Sequence, residues 1–393
     1  MTLSSIFETF RAFFISLKSR PEFSLSVIDF VRDGAKYPDP LIQAFILAFL
    51  ATLVTWILSL IPMGAEFKRN YSHFDRLWSI LPIPYALIYF CHQVYISYGL
   101  VSVWENLKSR TFICFILILI WGIRLTLNAK RRGYYSWSYE DYRWEIVKKL
   151  LTNPIMWELF NFLFITVFQS GLVFSLTWPV YYIFLLHKKL VFDPLILSNS
   201  SLNSTQNHNP LLLKSPTIPP LKLLDFVFFI VMSMLLVFET IADNQQFEFQ
   251  QDKRKYYSAL AKHKIDPKSF PNPDPNFSKE RISEIKAGFR FTGLWRYSRH
   301  PNFFCEQSFW IVMALYGYLN GLHVTELSPN DFRFIQYSIG AITLALLFDG
   351  SVTLTEAISE SKYPLYVQYQ KETNMLLPWF SKPHFQEVNN KQS

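Results

Sequence analysis

Few polar residues of this chain interrupt its apolar runs, and those that do recur at helical spacing. In "VFETIADNQQFEF" (237–249), Glu239, Asp243 and Gln246 fall at i, i+4 and i+7, one face of a helix. Two carboxylates and an amide on one face suit hydrogen bonding to a ribose, an amide or an amine. Paired with arginines elsewhere, the same residues would only join helices, and the sequence leaves both readings open. In "GLWRYSRHPNFFCE" (293–306), Pro301 suits the first turn of a helix, which places Asn302 and Glu306 on one face at i and i+4. Arg299 and His300 then stand just before the helix N-terminus. Free N–H groups, the positive dipole end and a guanidinium together favour a phosphate or a carboxylate there. Trp295, Tyr297 and Arg299 also suit an interfacial belt, but a belt does not account for Asn302 and Glu306. A third acid, Asp349, closes the last apolar run. Lys362, Tyr366, Tyr369 and Thr373 follow at helical spacing, fit either to close a site or to lie on a membrane surface. Arg124, Glu140, Asp141 and Arg143 are expected to form a structural ion network at the membrane edge, and His92 to be a core histidine.

The elements that must position these groups are membrane helices. Half of the 393 residues are hydrophobic and only 17% are charged, against about a quarter in soluble domains. Leu41–Met63 alone is long enough to cross a bilayer core of about 30 Å. The expected fold is all-α, a polytopic helical bundle with about seven crossings, near 41–63, 78–100, 111–127, 157–186, 223–242, 303–322 and 334–353. Gly is too scarce for a doubly wound nucleotide fold. The net charge of +8 is accounted for by basic loops, so no nucleic-acid partner is expected. Cys91, Cys114 and Cys305 form neither a disulfide framework nor a metal-ligand spacing. Lys and Arg concentrate in 64–77, 128–152 and 243–302, which predicts a cytosolic side for those loops and for the C-terminus. The expected organisation is a lumenal segment 1–40, a transmembrane domain 41–354 with a polar lumenal loop 188–221 and a basic cytosolic loop 243–302, and a cytosolic tail 355–393. Loop 188–221 holds two glycosylation sequons, at Asn199 and Asn203, in a low-complexity Asn/Ser stretch. Residues 267–276 read as a Pro-punctuated spacer.

Five blocks in order, "DRLWSILP", "WGIRL" with "EDYRW", "ETIADNQQFEF", "GLWRYSRHPNFFCE" and "Y..Y..ET..LLPW", run from Asp75 to Trp379. Together they resemble the membrane reductase family of the steroid 5-alpha-reductase C-terminal domain, in its DUF1295-type branch. The resemblance implies a seven-helix bundle whose cofactor pocket opens to the cytosol, NADPH as cofactor, and hydride transfer to a carbon–carbon double bond conjugated to a carbonyl. It implies Asp243, Gln246, Tyr297, Arg299, His300, Asn302, Glu306 and Tyr366 around the cofactor, with Arg299 on phosphate and Asn302 and Glu306 at the nucleoside or nicotinamide. In the steroid reductases a Glu and a Tyr on early helices touch the ketone. Here the second crossing offers Tyr85 and Tyr89 but no Glu, so the candidate catalytic residues are Tyr89 and Glu239. Phe303 stands where the family has Tyr, and Cys305 where it has Gly. The substrate so implied is a lipid or sterol-like enone, and the expected membrane is the endoplasmic reticulum. A related class with a similar RHPxY-like element comprises membrane methyltransferases that use S-adenosylmethionine on a lipid or isoprenylated cysteine. A third reading is a non-catalytic membrane protein that keeps the fold.

Overall fold

A computed structural model describes residues 39–62, 68–97, 101–188, 218–263, 277–325 and 333–380. The sequons at Asn199 and Asn203 and the spacer 267–276 lie outside the described residues. Among the described residues seven long helices follow one another: α1 (Pro40–Leu60), α2 (Pro82–Ile96), α3 (Arg110–Arg131), α4 (Pro154–Lys188), α5 (Leu223–His263), α6 (Pro301–Thr325) and α7 (Arg333–Lys362). No sheet joins them among the described residues.

Five of the seven (α1, α3, α4, α5 and α7) are long and apolar enough to cross a membrane. The expectation of about seven crossings meets two helices that lack one requirement each. The 15 residues of α2 rise only about 22 Å, short of a bilayer core. In α6 length suffices, but Asn302, Glu306, Gln307 and Asn320 dilute the apolar run. Two helices also outrun their expected ends. α5 continues 21 residues beyond 242 because the segment that follows is rich in Gln and Lys, with Ala259 and Ala261, good helix formers once outside the membrane. α7 likewise runs on to Lys362. The overlong fourth crossing is broken twice: a π-helical stretch covers Asn161–Phe168, and a turn at Leu176 and Thr177 precedes Pro179.

Local chemistry sets the helix starts. Asp39 caps α1 by accepting from Leu41 N at 2.8 Å, with Pro40 at the first position. Ser109 caps α3 through Phe112 N, and Lys130 and Arg131 fill its last turn, where cations suit the dipole. Asn153 and Pro154 start α4 in the same way as Asp39 and Pro40 start α1.

One large apolar core joins the helices, with Tyr85, Tyr89, Trp121, Phe174, Trp310 and Tyr316 among its buried members. Gly122 lets α3 close on the residues before α2, since a Cβ there would stand 2.5 Å from the Ser79 carbonyl oxygen. A second cluster, Phe249, Tyr256 and Leu260 with Ile285, folds the short helix Lys279–Ala287 back against the projecting end of α5. At the opposite end of α5, Asp225 takes Arg110 Nη2 at 2.6 Å and the Tyr316 hydroxyl at 2.8 Å. That staple fixes the relative register of α3, α5 and α6.

Candidate functional site

The same three helices meet again further along. Residues 121 and 124 share a face of α3, 239 and 243 a face of α5, and 302, 306 and 310 a face of α6. Where the faces converge, the Arg124 guanidinium reaches Glu239 Oε1 at 2.6 Å, Asp243 Oδ2 at 2.7 Å and Glu306 Oε2 at 3.4 Å. Glu306 is held more closely by two indoles. Trp121 Nε1 donates to both its oxygens at 2.9 and 3.0 Å, and Trp310 Nε1 to Oε1 at 3.0 Å. The two indoles meet edge to face, with centroids 5.0 Å apart. Asn302 Nδ2 donates to Asp243 Oδ1 at 3.2 Å, and Arg132 approaches the same oxygen at 3.4 Å.

Charge does not balance here. Three carboxylates, each with a side chain no more than 6% exposed, face one buried guanidinium, and Arg132 is 33% exposed. Charges at membrane depth are costly unless paired. Four buried polar atoms at the cluster have no partner in the protein: Glu239 Oε2, Arg124 Nε, Asn302 Oδ1 and Gln246 Oε1. The arrangement is a buried polar cluster with more acid groups than cations and unused hydrogen-bonding capacity.

A second cluster forms around Glu356 of α7. Arg299 binds it through Nε at 2.6 Å and Nη2 at 2.7 Å, a bidentate pair. His300 Nε2 lies 3.0 Å from the same carboxylate, and Tyr366 and Gln370 donate to it at 3.3 and 3.2 Å. Arg299 also donates to the carbonyl oxygens of Gln370 and Thr373. The backbone N–H groups of Arg299 and His300 donate to the carbonyls of Asn374 and Met375. The C-terminal segment is thereby tied to the residues before α6. Tyr366 lies outside the membrane helices, and burial beside the Glu356 carboxylate pushes its hydroxyl pKa up. Gly293 opens this stretch with φ 67, and a Cβ there would strike the Gln245 side chain.

The expected cofactor set therefore separates. Glu239, Asp243, Asn302 and Glu306 come together, with the unpartnered Gln246 Oε1 one helical turn beyond Asp243. Arg299, His300 and Tyr366 gather instead on Glu356, so the guanidinium expected to face a phosphate is engaged by a carboxylate. Tyr297 is 37% exposed and packs edge-on against Phe380. Tyr89 is fully buried, but its hydroxyl faces Thr177 Oγ1 at 3.5 Å and its ring the Tyr181 ring, so no contact joins it to Glu239.

Several residues play parts not foreseen from the sequence. Arg124 does not join Asp141 and Arg143, which pair with each other at 2.7 Å; it turns inward to the acids. The signal was present, since an arginine inside an apolar run needs a partner at depth. Asp349 is exposed, and the acid that matters on α7 is Glu356, two turns later. Trp121 and Trp310 read as core aromatics by composition alone.

Residues 63–373 match the family described as "Protein of unknown function (DUF1295)". An uncharacterized protein of Schizosaccharomyces pombe is 29% identical over 357 residues, covering 90% of this chain and 84% of the yeast protein. No solved structure matches.

Proposed function

The chain belongs to the DUF1295 family, and on that premise we propose that it is a membrane-embedded reductase. It uses NADPH to saturate a carbon–carbon double bond conjugated to a carbonyl in a lipid or steroid-like molecule. The observation that carries this reading is the surplus of carboxylates around Arg124.

NADPH, when bound, supplies a hydride and is left with a positively charged ring. Asp243 and Glu306 provide a negative field for the positive charge left on that ring, and the two tryptophans hold Glu306 in place beforehand. Asn302 Oδ1 and Gln246 Oε1 are buried acceptors without partners, suited to the amide and hydroxyl donors of a nucleotide. Arg299 does not fit a phosphate role while Glu356 holds it; Arg132, partly exposed at the rim, is the cation placed to take that role. Hydride reaches the β-carbon of the substrate and a proton the α-carbon, which leaves a saturated ketone. We assign the proton to Glu239, which enters the step as the neutral carboxylic acid and gives up the proton from Oε2, the oxygen of the cluster with no partner in the protein.

A methyl transfer from S-adenosylmethionine has the opposite electrostatics. Its sulfonium charge is present at the start and gone at the end, so the same carboxylates would favour the ground state over the transition state. The negative surplus thus supports the hydride reading over the methyl reading. The protein belongs in the bilayer through its apolar helices, and its basic loops support an opening on the cytosolic side; the endoplasmic reticulum is the membrane we propose. Titration of the purified protein with NADPH and with S-adenosylmethionine, read as thermal stability, tests the proposal. Stabilisation by NADPH is expected; stabilisation by S-adenosylmethionine alone overturns it. A comparison of lipids from wild-type and deletion strains then identifies the enone that accumulates.

A further inference from the structure

On the outer side of the α5–α6 pair lies a groove of about 380 Å³. That volume falls within the range of about 300–1,000 Å³ typical of pockets that enclose a small ligand. Its floor is one helical face of α5, Val231, Met234, Leu235 and Phe238 at i, i+3, i+4 and i+7, with Phe304 and Cys305 of α6 as the facing wall. The lining is almost wholly apolar. Pro301 and Pro378 close one end and, having no N–H, offer no backbone donor.

The medium around this groove follows from α5. Val231, Met234 and Phe238 are exposed on a helix long and apolar enough to cross a membrane, so they face hydrocarbon. Water in the groove would find no polar partners, and a void would forfeit dispersion contacts along its walls. The end of the groove also has a defined depth. Tyr297 stands there, its carbonyl accepting from Trp379 N at 2.9 Å, and Trp379 and Phe380 are exposed beside it. Clustered exposed aromatics of this kind mark the headgroup level.

We propose that the groove seats one acyl chain of a bilayer phospholipid, with the headgroup at the Tyr297–Trp379 end. The seat has a bearing on the polar cluster behind it. Phe238 immediately precedes Glu239, and Cys305 immediately precedes Glu306. A chain in the groove braces from outside the two helix segments whose inner faces carry the carboxylates. Occupancy does not require NADPH.

The test uses the full-length protein in nanodiscs containing phosphatidylcholine with a diazirine on its acyl chain. After irradiation, adducts are mapped by mass spectrometry. Adducts are expected to concentrate on 231–238 and 301–305, to saturate, to be displaced by unlabelled phosphatidylcholine, and to be lost in Leu235→Trp, which fills the groove. Labelling spread evenly over lipid-facing residues such as Phe49 and Val54 of α1, unchanged in the variant, overturns the proposal. Displacement by a sterol but not by phospholipid overturns the acyl-chain assignment. If Leu235→Trp fails to fold, saturation and competition in the wild type decide alone.

Discussion

Arg124 and Glu239, 2.6 Å apart, repeat the pairing of Arg110 with Asp225 near the other end of the same two membrane segments. Each acid lies 115 positions after its arginine, so α3 and α5 run parallel and in register, with two ionic rungs about 21 Å apart. The second rung differs from the first because its arginine must also serve Asp243 and Glu306. Arg124→Ala leaves three buried carboxylates without that cation and is expected to cost about 3–5 kcal/mol. Adding Glu239→Gln to it restores part of the loss. Thermal unfolding of the single and double variants in detergent checks both statements, and equal stability of the two would contradict the charge account.

Asn302→Ala separates binding from folding. The side chain makes one hydrogen bond, to Asp243, so its removal costs only about 1 kcal/mol. Its free Oδ1 is assigned to the cofactor, so NADPH should no longer raise the melting temperature of the variant. A variant that binds NADPH as well as the wild type removes Asn302 from the site.

Glu356 ties the C-terminal segment to α6 through Arg299, His300, Tyr366 and Gln370. Glu356→Gln keeps the size but leaves the buried guanidinium without a counter-charge, a loss of about 3 kcal/mol or more. Hydrogen exchange should rise across 366–375, while peptides from α1 stay protected. Unchanged exchange in 366–375 would show that the segment is held by its backbone bonds alone.

Stability should fall on mild acidification, with His73 as one cause. This residue, in the short helix His73–Leu77 before α2, is buried and accepts a hydrogen bond on Nδ1 from Arg76 at 2.9 Å. Burial first, and then the Arg76 charge, lower its pKa to about 4. The unfolded chain takes up this proton near pH 6.5, at the ordinary value, whereas the folded protein resists until about 4. The unfolded state therefore binds more protons across that window, and stability drops as pH falls through it. Melting temperatures measured from pH 7 to 4.5 should show a shallower decline for His73→Gln. An identical slope would exclude His73.

The helices were legible because apolar runs of membrane length have few alternatives in a sequence. Their ends were less so: α5 passes from an apolar to a polar sequence without any break in helix propensity, so hydropathy marks the membrane edge and not the helix end. The acid face of α5 and the Asn302–Glu306 face of α6 could be read from spacing within one helix. The partners could not, because pairing across helices depends on their register. Arg124 with Glu239, and Arg299 with Glu356, are contacts between residues 115 and 57 positions apart. Tyr89 shows the same limit, since nothing in the second crossing indicates that its hydroxyl turns toward Thr177.

The uninterrupted course of α5 has a mechanical side. At 41 residues it is a rod of about 61 Å, roughly half of it beyond the apolar stretch. Glu239 and Asp243 sit near its midpoint, while its far end is gripped by the short helix Lys279–Ala287. A helix this long has no hinge to absorb a sideways push. A load on the projecting arm, from a docking protein or a crowded membrane surface, acts as torque about the point where two carboxylates meet Arg124.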